Sequence, residues 1–134
     1  MIAIDTSAII AILTDEPERR QFNEIIGATQ ACYISVANLL ETRIVLYSRA
    51  GENATLALDS YLLKSNIKPV ETTAIMGDLA FSAYRRFGKG TGHPASLNYG
   101  DCFSYALAMN KNIPLLFKGN DFSQTDILSV VKRH

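Results

Sequence analysis

Short β-like runs separated by stretches of helical pattern constrain this chain more than any other feature. Ile2–Ile4 is followed by runs at residues 32–34, 69–71 and 115–117, and residues 128–131 read as a last strand. Between them lie segments that read as helices, at residues 6–14, 16–28, 35–50, 53–65, 73–87 and 99–110. Pro17 suits the first turn of the second helix, Ser35 caps the third and Gly51 stops it. Residues 88–96 carry Gly88, Gly90, Gly92 and Pro94 and read as a mobile loop inside the domain. Strands this short, alternating with helices, predict an α/β layer fold with a mostly parallel sheet.

The chain has 134 residues, the size of one domain, and its hydrophobic fraction of 48% suffices for one core. Thirteen basic side chains balance thirteen acidic ones. A neutral chain exerts no long-range pull on a polyanion or an anionic membrane. A nucleic-acid partner would therefore have to be held by something other than bulk charge. Cys32 and Cys102 lie far apart in apolar surroundings, with no pattern that suggests zinc, and read as buried thiols in a reducing compartment. No apolar run approaches the ~18–20 residues needed to cross a bilayer, and the first residues lack the basic region, long apolar stretch and cleavage site expected of a secretory leader. The expected location is cytoplasmic.

The acids carry the chemistry. An α/β sheet places its active groups at the carboxyl ends of its strands. Asp5 follows the first run directly, and Asp121 follows the run at 115–117 closely. Glu41 sits in SVANLLETRIVLY, where its helical neighbours Ala37, Asn38, Ile44 and Val45 offer no cation. Asp101 sits in NYGDCFSYALAM, with Ser104 and Tyr105 on the same face. Each acid has a bland reading. Asp5 makes a good N-cap, Asp101 suits the first turn of a helix capped by Asn98, Asp121 is at home in a turn, and Glu41 could reach water at a helix rim. Taken together, two strand-end acids and two acids on apolar helix faces could converge. Clustered carboxylates either raise one another's pKa or recruit a cation. Oxygen donors without His or Cys favour Mg²⁺ or Mn²⁺, which bind phosphates and activate water for phosphodiester cleavage.

In order and spacing, IDTSAIIAIL, the segment from Ser35 to Glu41, LNYGDCFSYALA and LLFKGNDFSQTDI resemble the four acidic motifs of PIN-domain ribonucleases. The bacterial VapC toxins of toxin–antitoxin pairs are the nearest group. The resemblance runs from Met1 to about residue 127 and implies one PIN-like domain over residues 1–134. It implies a Rossmann-like three-layer sandwich, with a mostly parallel central sheet flanked by helices. It further implies Mg²⁺- or Mn²⁺-dependent endoribonuclease activity, a VapB-like antitoxin that blocks the site, and a homodimer. Asp5, Glu41, Asp101 and Asp121 match the metal-binding, catalytic acids; Ser7 and Asn98 match supporting polar residues. The fourth motif is the loosest, and Asp126 is a second candidate for its acid.

Lys118, Arg85, Arg86 and Lys89 are candidate contacts for RNA phosphates, Lys118 foremost because it adjoins Asp121. His93 has no visible partner and reads as incidental. Tyr47, Tyr61, Tyr84 and Tyr105 fit helix core faces, so no row of exposed aromatics is expected as a stacking platform. Three rivals remain. A haloacid-dehalogenase-like phosphatase would use Asp5 as nucleophile, but Ser7 stands where its second acid belongs. A receiver-like domain lacks its acidic pair. A non-catalytic PIN-like binding module would have acids that no longer hold metal.

Overall fold

Four helices open on a side chain that binds their free amides: Asp5, Ser35, Thr73 and Asn98. The computed structural model describes residues 1–131. Strand β1 is Ile2–Ile4, followed by helices α1 (Thr6–Leu13) and α2 (Arg19–Ala28). Then come β2 (Cys32–Ser35), α3 (Val36–Ala50), α4 (Glu52–Lys64) and β3 (Ile67–Val70). Helices α5 (Ala74–Phe87) and α6 (Tyr99–Lys111), strand β4 (Leu115–Leu116) and a single 3-10 turn at Phe122–Gln124 complete the order. Ser35 caps α3 through the amides of Ala37 and Asn38, and Thr73 caps α5 through that of Met76. Gly51, at φ 74°, takes the left-handed turn that separates α3 from α4.

The four strands are parallel in the order β3-β2-β1-β4. Ala3 pairs with Tyr33 on one side and Leu115 on the other. Successive strand residues point to opposite faces, and the two cores follow that alternation. Ile2, Ile4, Ile34 and Leu116 pack with Ile9, Phe22, Leu46 and Leu58 beneath α1–α4. Ala3 and Leu115 pack with Met76, Phe87, Tyr105 and Leu107 beneath α5 and α6. A helix layer on each face of a parallel sheet is the α/β layer fold that the pattern predicts and the three-layer sandwich that the resemblance implies. The two free thiols are buried in different cores, Cys32 in one and Cys102 in the other.

The chain leaves β1 toward β2, yet β4 lies on the other side of β1. The connections therefore part beyond the carboxyl ends of β1 and β4, the place where open α/β sheets hold their ligands.

Several expectations shift. The second helix starts at Arg19, so Pro17 lies in the preceding turn rather than in a helical first turn. The third strand is Ile67–Val70, two residues earlier than at its start as read. It is an edge strand, where Pro69 costs no ladder bond on its open side. Residues 128–131 contribute one bridge, Ser129 to Leu115, instead of a full strand. The loop 88–96 is cross-tied: Lys89 N donates to the Leu97 carbonyl and Leu97 N to that of Phe87. His93 rests its ring on Phe87, and its Nδ1 accepts from Ala95 N. Tyr105 is buried, but Tyr47 is 59% and Tyr84 41% exposed. Helical spacing places them on a face without saying that the face is covered.

Candidate active site

Asp5 is the last residue before α1, and its capping role and its place in the site are the same fact. Its Oδ2 accepts from Ser7 N at 3.0 Å and Ser7 Oγ at 2.6 Å, and its Oδ1 accepts from Ser104 Oγ. Ser7 Oγ in turn accepts from Lys118 N at 2.9 Å, which ties the start of α1 to the segment after β4. Asp5 is only 3% exposed. Burial pushes its carboxyl above the usual range, against the hydrogen bonds from Ser104 and Ser7.

Asp101 opens α6 in a reciprocal cap with Asn98. The Asn98 side chain accepts from Asp101 N at 2.8 Å, and Asp101 Oδ2 accepts from Asn98 N at 3.0 Å. This arrangement commits Asn98 to the helix end. Burial, then the charge on Asp5, with smaller contributions from Asp121 and Glu41, raises the Asp101 carboxyl to about 7. Each of the other three predicted acids thus lies within electrostatic reach of Asp101.

Glu41 reaches the same place from α3. Thr6 Oγ1 donates to its Oε1 at 2.6 Å. Asn38, fully buried one turn earlier, donates from Nδ2 to the Gly100 carbonyl at 2.9 Å and lies 3.5 Å from Glu41 Oε1. Its Oδ1 stands 3.1 Å from Ser104 Oγ. Asn38 and Ser104 thus link Asp5, Glu41 and the start of α6, although sequence reading gave them no role. A polar pair on otherwise apolar faces was the only available signal. Asp121 is exposed, just ahead of the 3-10 turn, within electrostatic reach of Asp101. Among the described residues, no salt bridge reaches any of the four acids.

The donors are all oxygens, which fits a hard divalent cation. Among the described residues, no group of three Asp, Glu, His or Cys side chains is disposed to hold a metal by itself.

A family model described as PIN domain matches residues 2–128. A VapC ribonuclease of Mycobacterium bovis is 46% identical over 129 residues, covering 96% of this chain and 98% of that protein. The chain is a PIN domain of the VapC ribonuclease family. The crystal structure of VapC20 from Mycobacterium tuberculosis, described as a sarcin–ricin loop cleaving toxin, superposes with a TM-score of 0.78 at 21% identity. It covers 97% of this chain and 98% of that one. A toxin–antitoxin complex from Klebsiella pneumoniae gives a TM-score of 0.70 at 14% identity, over 92% and 91% of the two chains. At those identities the two structures speak for the fold.

The remaining candidates in this PIN domain are otherwise engaged. Lys118 Nζ pairs with Glu16 at 3.0 Å and Glu18 at 3.4 Å, and the bond to Glu16 raises its pKa. Arg86 bonds Tyr105 and Asp126, each at 3.2 Å, while Tyr105 donates to Asp126 at 2.8 Å. Asp126 therefore belongs to that cluster, and Asp121 is the acid that acts on Asp101. Arg85 lies over the Phe81 ring at 5.4 Å. The aromatic expectation is overturned: Phe81, Tyr84, Tyr99 and Phe103 line an apolar groove of about 470 Å³ between α5 and α6. A second groove of about 350 Å³ shares Tyr99 and Phe103 and runs along Leu40 and Ile44 to Glu41. No helix among the described residues is long and apolar enough to cross a membrane.

Proposed function

We propose that this PIN domain is a Mg²⁺- or Mn²⁺-dependent endoribonuclease that hydrolyses RNA phosphodiester bonds as the toxin of a toxin–antitoxin pair. One arrangement carries the reading: among the described residues no salt bridge reaches Asp5, Glu41, Asp101 or Asp121, while Asp5 and Asp101 are buried and the other three acids all push the Asp101 carboxyl up. Buried anions of this kind call for a cation. Asp5, Glu41, Asp101 and Asp121 are the residues that would hold it. A bound divalent ion supplies Lewis-acid activation of water and charge compensation for the phosphate.

The protein's own contribution is orientation. Three donors, Ser7 N, Ser7 Oγ and Ser104 Oγ, fix the Asp5 carboxylate. Thr6 fixes Glu41. Asp101 Oδ2 is held by the Asn98 amide, leaving Oδ1 for an ion or an attacking water. The phosphatase alternative would need an acid two residues after Asp5, but Ser7 stands there and spends its hydroxyl on Asp5 itself. The second apolar groove reaches Glu41 and joins the first through Tyr99 and Phe103; together they supply a surface for an antitoxin, the kind of partner named for the Klebsiella pneumoniae complex. A partner seated on them would lie beside the acids.

The test is cleavage of labelled structured RNAs, ribosomal and transfer RNA among them, by the purified protein. Scission should occur with Mg²⁺ or Mn²⁺ and stop in EDTA. Activity that persists in EDTA would remove the metal from the mechanism.

A further inference from the structure

Gly100 stands in the first turn of α6 and is buried there. Its φ is not among the positive ones, so the backbone makes no demand for glycine. Alanine is the better helix former. What glycine provides is room. A Cβ built on Gly100 would fall 2.2 Å from Glu41 Oε2 and 2.7 Å from both Cδ and Oε1. The Glu41 carboxylate lies in the volume that any side chain would occupy. The neighbouring bonds fix that approach, since Asn38 Nδ2 holds the Gly100 carbonyl and Thr6 Oγ1 holds Glu41 Oε1.

We propose that Gly100 is a positioning residue: its missing side chain forms the berth that keeps the Glu41 carboxylate beside Asp5 and Asp101. The inference rests on the nuclease reading for its functional consequence, but not for its geometry. Gly88 makes a useful contrast. There a Cβ would strike the backbone oxygen of Tyr84 at 2.4 Å, which cannot step aside. At Gly100 the obstacle is the end of a flexible side chain. A methyl group would therefore displace Glu41 and leave the helix in place.

The experiment is a double-mutant cycle of Gly100→Ala with Glu41→Ala. Its readouts are Mn²⁺ titration followed by electron paramagnetic resonance, RNA cleavage and thermal midpoint. Gly100→Ala should keep or raise the midpoint while weakening Mn²⁺ binding and cleavage by about 10-fold or more, the range typical of residues that orient a metal ligand. In the Glu41→Ala background the same substitution should change binding and cleavage by less than about twofold, because the group it displaces is gone. Equal losses in both backgrounds, or undiminished Mn²⁺ binding in Gly100→Ala, would overturn the proposal. If Gly100→Ala fails to fold, folding of the double variant supports the contact, and failure of both refutes it. If the parent protein neither binds Mn²⁺ nor cuts RNA, the nuclease reading fails alone. The crystal structure of Gly100→Ala then decides the berth, by whether Glu41 has left Thr6.

Discussion

Asp101 and Tyr105 stand one turn apart on α6, and each meets a carboxylate from elsewhere in the chain. At Tyr105 the acid is Asp126, and Arg86 closes the group with two bonds. Donors, acceptors and charge are matched, and the cluster fastens α5, α6 and the segment after β4 together. The Tyr105 hydroxyl, pushed up to about 12 by burial and by its bond to Asp126, stays protonated and keeps donating. At Asp101, among the described residues, no salt bridge plays the part of Arg86. Asp5, Glu41 and Asp121 add repulsion, and the hydroxyls of Ser7, Ser104 and Thr6 orient the carboxylates without cancelling their charge. A completed cluster fastens the fold; an uncompleted one leaves a place for something from solution.

The comparison breaks most readily by removing charge from the uncompleted cluster. Asp101→Asn keeps the shape of the side chain and relieves the repulsion. Cleavage should fall by more than about 100-fold, since even residues that merely orient a ligand cost 10–100-fold. The denaturation midpoint at pH 7.5 without metal should hold or rise. If the variant cuts RNA at an undiminished rate, Asp101 is a helix cap and nothing more.

The repulsion should also show in the pH dependence of stability. Asp101 moves from an ordinary 3.8 to about 7 on folding, and Asp5 moves in the same direction. Between those values the folded chain retains a proton that the unfolded chain has released, so stability falls as pH rises through that window. The loss from Asp101 is on the order of 4 kcal/mol at most. Urea denaturation in EDTA should give a midpoint that declines from pH 5 to pH 8. Millimolar Mn²⁺ should restore more of it at pH 8 than at pH 5, because the cation binds the ionised site of the folded state. A flat profile would mean that the acids are better solvated than their burial implies.

The sequence-readable part of this molecule is the part determined locally. Asp5 and Asp121 follow strands whose apolar runs are visible, and Asp101 and Ser35 open helices with recognisable caps. Those signals put Asp5 and Asp121 after strands and Asp101 in the first turn of a helix, so that convergence with Glu41 is an expectation before any coordinates. The roles of Asn38 and Ser104 depend on partners 62 to 99 residues away, and no periodicity reports such pairs. Gly100 reads as a neutral small residue until Glu41 is seen against it. Lys118 lies close to Asp121 in sequence, but tertiary packing brings Glu16 and Glu18 to its ammonium. Tyr47 and Tyr84 show the converse: spacing fits them to a core face, but both are exposed, because periodicity does not report whether the domain covers a face.

The smallest effect belongs to the completed cluster. Asp126→Ala removes the acceptor of the Tyr105 hydroxyl and the charge partner of Arg86. That ion pair is about half exposed, with side-chain accessibilities of 51% and 42%, so its own worth is well under ~1 kcal/mol. The hydrogen bond from a buried tyrosine adds roughly 1 kcal/mol, and Arg86 remains within reach of the same hydroxyl. A cost of about 1–2 kcal/mol in urea denaturation is therefore expected, with Mn²⁺ affinity and RNA cleavage within about twofold of the parent, because Asp126 lies outside the field that raises Asp101. A loss of cleavage comparable to that of Asp101→Asn would join the two clusters into one site and return Asp126 to the fourth motif.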